Sequence, residues 1–554
     1  MSTRIANLLF PDVTATPDDL EARYPARATT AVRFAPSPTG FMHIGGLYMS
    51  LIDRIFARST GGVVCLRIED TDQKRQLDGG VSEIIDTLRR FGVTFDEGAA
   101  SETEDYGDYG PYRQSLRREL YRVYAKSLVE RDLAYPCFCT EEELAALRAR
   151  QSDENAVIPG YYGKWARCRG LTDDEIAAKL AAGEEYVTRL RSPGVDGKTV
   201  DIEDGIRGVI TMPENVLDVV IIKKDGLPTY HFAHAVDDHL MRTTDVTRAD
   251  EWIASLPIHV QLFDVLGFTA PRYYHLSPIM KQEVNESGTV TRRKISKRKD
   301  PEARVGYYLE AGYPVAAVTD YLLTVCSAEF EPWRAENPTA DVTSFPLDLA
   351  KTGVAGALFD FDKLANVSKK LIAAMTDDEV CAAVTQWARD YDASFAAYIA
   401  AHADYFRASV PIWHANRMDV SRWEEVPANY PYLYGDDFDA TVGDAPATVA
   451  AHLADVPQIL REYQAGYSPD DDADAWFAKV RAIAETHNYA VSMGKYKKHP
   501  EDYAGSVADV SAFIRVALTG RLNTPDLCAI ARLLGAGECA RRVAGYVEYA
   551  ENLA

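Results

Sequence analysis

The chain has 554 residues, 47% of them hydrophobic, and a formal net charge of −23. That length allows several domains with separate cores, and no apolar run approaches the roughly 20 residues a membrane span needs. The acidity excludes a surface coated in positive potential, although a local basic field still suffices to hold nucleic acid.

Residues 1–30 carry four acids and one short apolar run. They lack the basic start and small-residue cleavage site of a secretory leader, and read as an N-terminal extension of unassigned purpose. Residues 31–35 (AVRFA) predict a short buried strand, followed by a Pro/Gly loop at 36–40 and an amphipathic helix over 45–58. Gly61 and Gly62 stop that helix. A second strand over 63–68 and a second helix over 81–91 complete a strand–helix–strand–helix alternation, which predicts a parallel sheet with helical crossovers. In open sheets of that kind ligands bind at the carboxyl ends of the strands, where residues 33–43 and 69–72 fall. Helices are expected at 116–131 and 141–150, and strands at 184–191 and 217–223, as an inserted region. Strand–helix alternation then resumes as far as residue 264. Beyond about residue 301 the pattern is nearly all helical, with apolar stripes such as Trp476, Val480 and Ile483, then Val510, Phe513 and Ala517, at a spacing near 3.6.

Eight cysteines in a chain this long do not make a disulfide scaffold. Cys65, Cys326, Cys381, Cys528 and Cys539 stand singly, as buried thiols in a reducing cytosol do.

Two segments carry chemistry. The first is PSPTGFMHIGG (36–46), between a strand and a helix. A helix start presents unpaired N–H groups and partial positive charge suited to phosphate, Gly45 and Gly46 leave room for close approach, and His43 can donate to phosphate oxygens. Taken alone it also reads as a Pro/Gly turn with an incidental histidine. The second is RRKISKRK (292–299). By itself this is a solvated basic loop; next to a triphosphate it is a loop whose lysines offset the charge that develops as pyrophosphate leaves.

Together the two resemble the HIGH and KMSKS motifs of class I aminoacyl-tRNA synthetases, in the right order on the right elements. Their context resembles the glutamyl-tRNA synthetase family: VRFAPSPTGFMHIGG (32–46), LRIEDTD (66–72), GPYRQS (110–115), DGLPTYHFAHAVDDHLM (225–241), KISKR (294–298), GALFDFDKL (356–364) and RVALTGR (515–521). The chain departs from the generic class motif at Gly46, where a final histidine is usual, which shifts phosphate binding toward backbone N–H groups. The resemblance implies a Rossmann-type α/β catalytic domain in two halves (31–115 and 225–290) around an inserted acceptor-binding region (116–224). A KMSKS-loop and stem-contact region (291–374) and an α-helical anticodon-binding part (375–554) follow.

The implied reaction is glutamate activation by ATP with Mg²⁺, then transfer of the glutamyl group to the 3′-terminal adenosine of a tRNA. His43, Lys294 and Lys297 are the expected catalytic residues, and with Gly45 and Gly46 they form the expected ATP site. Glutamate has two carboxylates and one ammonium, so its pocket wants two cations and one acid. Arg33 and Arg248 match the first need and Glu69 the second, with Ser37 and Tyr230 adding hydroxyls. His234 stands where the family often has Asn. A glutamine side chain would leave one arginine under-paired and be rejected. Cys137, Cys139 and Cys168 fall where some family members bind zinc. Four ligands are usual; Gly170 stands where a histidine would help and Tyr162 is a candidate fourth, so a metal-free loop is the other reading. The expected partner is the glutamate tRNA, with the glutamine tRNA open, for a cytoplasmic monomer. A glutamyl-queuosine-forming paralogue would lack the long helical remainder, and glutaminyl-tRNA synthetase differs in its first motif and has a β-rich tail. A small-molecule adenylyltransferase would not need some 250 residues beyond KISKR, and a catalytically dead RNA-binding regulator would not need His43 and both lysines.

Overall fold

The structure, a computed structural model, describes residues 3–284, 288–354, 356–414, 419–435, 438–440 and 447–553. Met1 and Ser2 of the extension lie outside them. By contact the chain forms two units, residues 1–307 with 319–360, and residues 308–318 with 361–554.

The first unit opens with two short helices, α1 (Thr3–Leu9) and α2 (Pro17–Arg23), the latter closed by a reciprocal cap between Thr16 and Asp19. They bury Ile5, Leu9, Phe10 and Leu20 in a core shared with the later helix Arg118–Glu130. β1 (Ala31–Phe34) then enters a parallel sheet. It feeds α3 (Ile44–Ser59), β2 (Val63–Leu66), α4 (Gly80–Arg90) and β3 (Glu97–Ala99), in strand order β1-β2-β3, with β4 (Asp105–Tyr106) added antiparallel. β1 is buried on both faces, as a strand covered by crossover helices must be. The expected alternation is therefore present, with β2 ending two residues earlier than its apolar run.

The next residues form α5 (Arg118–Glu130), β5 (Ala134–Cys137), α6 (Glu141–Asp153), α7 (Asp173–Ala181) and β6 (Val187–Leu190). β6 pairs with β5 and with β9 (Val220–Ile222) in a small antiparallel sheet. Between β6 and β9 lies a hairpin, β7 (Thr199–Asp204) and β8 (Gly208–Pro213), that the sequence reading did not anticipate. It joins the second half of the core, where β10 (Asp245–Ala249) and β11 (Arg272–Leu276) run parallel after α8 (Tyr230–Leu240) and around α9 (Leu256–Leu266). The two halves meet where Thr244 N–H donates to Ala31 O at 2.9 Å. That join places the carboxyl ends of β1 and β10 side by side. The hairpin of β12 (Ile279–Val284) and β13 (Val290–Lys294) follows.

The second unit is helical. Its longest elements are Phe361–Ala374, Asp377–Tyr391, Ala473–Thr486, Val507–Thr519 and Leu527–Leu553, the last kinked at Gly535 (φ 77°). The apolar stripes expected from the sequence, including Val480, Ile483, Val510 and Phe513, are buried in one core. No helix among the described residues is long and apolar enough to cross a membrane.

Candidate active site

His43 is the N-cap of α3. Its Nδ1 accepts the Gly45 N–H at 3.0 Å, so in the neutral ring the proton sits on Nε2. Burial, reinforced by Lys297 and Lys294, holds its pKa below the ordinary histidine value. The ring is thus a neutral Nε2–H donor at pH 7. The Gly46 N–H is also engaged, donating to His43 O at 2.8 Å. The sequence reading offered both glycine N–H groups to phosphate, whereas both are satisfied inside the turn. What the glycines supply is space. A Cβ on Gly45 would lie 3.1 Å from His43 Nδ1, and one on Gly46 would lie 2.8 Å from Met42 Sδ.

The basic segment reaches the same place from 256 positions away: Lys297 Nζ donates to Phe41 O at 2.5 Å, and Val305 N–H donates to Met42 O at 3.0 Å. Asp300 shapes this loop. It accepts from Ser296 N–H at 2.9 Å and from Arg293 at 2.5 and 2.7 Å, and Arg293 holds its carboxyl far below the usual range. Lys294, at the end of β13, pairs with Glu251 at 2.5 Å and is half exposed.

A cleft of about 570 Å³, a size that holds a small-molecule ligand, opens between these segments and the strand ends. Arg33, Ser37, His43, Gly45, Gly46, Glu69, Tyr230, Arg248 and Lys294 all line it. Of the expected site residues, only Lys297 and the three cysteines are not part of its wall.

Behind the wall is a buried ionic network. Arg33 Nε donates to Asp238 at 3.2 Å, and Arg67 bridges Asp238 at 2.5 Å and Glu69 at 3.1 Å. Arg117 takes Asp237 at 2.6 Å. Breaking one partner of such a set leaves a buried charge and costs about 3–5 kcal/mol, so the set fixes Glu69 and Arg33 in place. Burial raises the Glu69 pKa while Arg67 and Arg33 pull it down. Tyr230 begins α8, packs tilted against Trp252 with ring centroids 4.5 Å apart, and has its phenol pushed up to about 12 by burial, so it remains a hydroxyl donor. His234 is buried, with its pKa lowered to about 4. It bonds Tyr273 at 3.1 Å and lies 2.9 Å from Asp238, which makes it part of the backing network. Arg67, Asp237 and Asp238 were not singled out from sequence, although they stand inside the LRIEDTD and AHAVDDHLM segments.

Arg248, on β10, differs from the other arginines. Among the described residues no carboxylate pairs with it directly, and its Nη2 is buried without a partner.

The cysteines cluster apart from the cleft, on the β5-β6-β9 side. The Sγ atoms of Cys137, Cys139 and Cys168 lie within 4.8 Å of one another. The hydroxyl of Tyr161 stands 3.3 Å from Cys139 Sγ and accepts Cys168 N–H at 3.0 Å. Tyr161, and not its neighbour Tyr162, is the tyrosine at the cluster.

Residues 29–329 match the family model described as tRNA synthetases class I (E and Q), catalytic domain. The chain is 44% identical to a glutamate–tRNA ligase of Clostridium perfringens, over 96% of this chain and 98% of that one. It is 41% identical to a glutamate–tRNA ligase of Sorangium cellulosum, over 98% and 100%. The crystal structure of a glutamate tRNA ligase from Elizabethkingia meningosepticum, in complex with its amino acid, superposes with a TM-score of 0.76 at 26% identity, over 94% of this chain and 99% of that one. With the two motifs closing on one cleft and relatives matching at nearly full length, the chain belongs to the glutamate–tRNA ligase family of class I tRNA synthetases.

Proposed function

We propose that the chain activates L-glutamate with ATP and esterifies it to the 3′-terminal adenosine of the glutamate tRNA. The observation that carries this reading is the pairing of contents in one cleft. His43, a neutral imidazole donor, and Lys294 line it together with two arginines and one acid, the complement of an amino acid with two carboxylates, and Lys297 bonds the same turn at Phe41 O.

The attacking group is a carboxylate, so activation needs positioning and charge stabilisation in place of a general base. His43 Nε2–H donates to a phosphate oxygen. Lys294 and Lys297 stabilise the leaving pyrophosphate, Lys294 exchanging Glu251 for phosphate. Mg²⁺, which prefers phosphate oxygens and water to a dedicated cage, would come with the nucleotide and would supply charge neutralisation there; no metal-type carboxylate cluster lines this cleft among the described residues. Arg33 and Arg248 take the two carboxylates of glutamate, Glu69 its ammonium, and Ser37 and Tyr230 supply hydroxyl hydrogen bonds. The 2′-OH of the tRNA end then attacks the adenylate.

In the domain reading, residues 31–115 and 225–290 form the catalytic halves and 116–224 contact the acceptor end. Residues 291–374 contact the stem, and 375–554 read the anticodon and decide whether a glutamine tRNA is also charged. The working form is a cytoplasmic monomer. Three cysteine sulfurs and the Tyr161 oxygen offer four donor atoms, the number that structural zinc takes, and zinc held there would brace the β5–β6 insert.

The test is charging of purified glutamate and glutamine tRNAs, with ATP–pyrophosphate exchange run with and without tRNA. Glutamyl-tRNA with stoichiometric AMP, and exchange that requires tRNA, is the expected result. Adenylate transfer to a non-tRNA acceptor, or no reaction with any tRNA, would overturn the reading.

A further inference from the structure

The guanidinium of Arg248 is held by imidazoles. Its Nε–H donates to His275 Nε2 at 2.9 Å, and its Nη1 lies 3.0 Å from His259 Nδ1. A guanidinium has no lone pair to offer, so both facing ring nitrogens are unprotonated. His275 therefore carries its proton on Nδ1, donated to Asp204 Oδ2 at 2.6 Å. His259 carries its proton on Nε2, which faces His231 Nδ1 at 2.9 Å. Both rings are fully buried. Burial, with Arg248 adding repulsion, keeps both below the ordinary histidine pKa, so the two acceptors stay neutral.

Arg33 and Arg67 share Asp238 at 3.2 and 2.5 Å, whereas Arg248 has two of its three nitrogens fixed by uncharged groups and the third buried without a partner. Fixing a guanidinium with carboxylates would orient it equally well but spend its charge. Fixing it with neutral imidazoles orients the fork and leaves the charge for an incoming anion.

We propose that His259 and His275 are positioning residues that select the acidic over the amide form of the amino-acid side chain. They hold Arg248 aimed but unneutralised, so a carboxylate completes it and a carboxamide leaves it under-paired. Asp204 sets the His275 tautomer. This rests on the reading of the cleft as the amino-acid pocket, with Arg248 meeting the substrate's side-chain carboxylate.

The experiment compares His259→Gln, His259→Leu and His259→Glu with Arg248→Ala in the full-length protein, reading KM for glutamate, glutamine and ATP in tRNA charging. Gln keeps a neutral acceptor, so KM for glutamate stays within a few-fold of the parent. Leu removes the acceptor and raises it roughly tenfold or more. Glu neutralises the guanidinium and raises it about a hundredfold while narrowing the glutamate-over-glutamine preference. KM for ATP is unchanged in all three. Equal effects of Gln and Leu on glutamate overturn the proposal, and that pair decides it even when the Glu variant fails to fold. If Arg248→Ala leaves the glutamate KM unchanged, the pocket reading itself falls; a raised KM there with indistinguishable His259 variants sinks only the role of the imidazoles.

Discussion

Asp53 lies on α3, 1% exposed, at the wall of the cleft, where it accepts from Thr247 Oγ1. Burial pushes its carboxyl from 3.8 up to about 7, against the opposing pulls of Thr247 and Arg33. The folded protein thus keeps a proton there that the unfolded chain has already lost. Where the unfolded state binds fewer protons, stability falls as pH rises, so Asp53 costs nothing below its unfolded pKa and its full penalty above about 7. Linkage across that gap gives a penalty near 2 kcal/mol at about pH 5 and near 4 kcal/mol at about pH 8. Asp53→Asn removes the ionisation and keeps the acceptor for Thr247. The amide's own burial cost is the same at both pH values and cancels, so the variant gains about 2–3 kcal/mol relative to the parent between them. Thermal midpoints at both pH values check this: the variant-minus-parent difference should grow by several degrees toward pH 8. A difference independent of pH would refute the claim that Asp53 is buried and protonated.

Lys297→Ala is expected to cut the activation rate by orders of magnitude while tRNA affinity in a filter-binding assay stays nearly constant. Arg33→Ala should raise KM for glutamate or lower its turnover without changing ATP affinity in charging kinetics, because Asp238 keeps Arg67. Asp300→Asn should loosen the loop that presents Lys297, raising KM for ATP about tenfold with the glutamate KM intact. Phe10 is 3% exposed under the N-terminal helices, so Phe10→Ala should cost about 3–5 kcal/mol, read as a lower thermal midpoint.

The catalytic halves were legible because their signals are local: an apolar run that ends in Pro/Gly, then a helical stripe, is the same in sequence and in space. The helical unit was legible for the same reason. The β7–β8 hairpin was not, although TVDIED alternates polar and apolar over five residues; its partner β8 keeps one face exposed and buries no residue. The helices α1 and α2 span only seven residues each, too short for periodicity, although Thr16 with Asp19 was a readable cap. Within the site, motif positions pointed to the cleft lining itself. The residues that hold that lining, Asp238 behind Arg33 and the imidazoles behind Arg248, are joined only by the fold. Tyr161 in place of Tyr162 is a one-residue matter that spacing alone does not resolve, since adjacent side chains point apart.

The central claim is that the His43 turn and the KISKR loop act on one triphosphate. A double-mutant cycle on kcat/KM for ATP, with His43→Asn, Lys297→Met and the pair, tests it most directly. Groups that share one ligand couple, so the double variant should lose clearly less than the product of the two single losses, by tenfold or more, on the order of 1–2 kcal/mol. Losses that multiply exactly as independent sites would contradict the account.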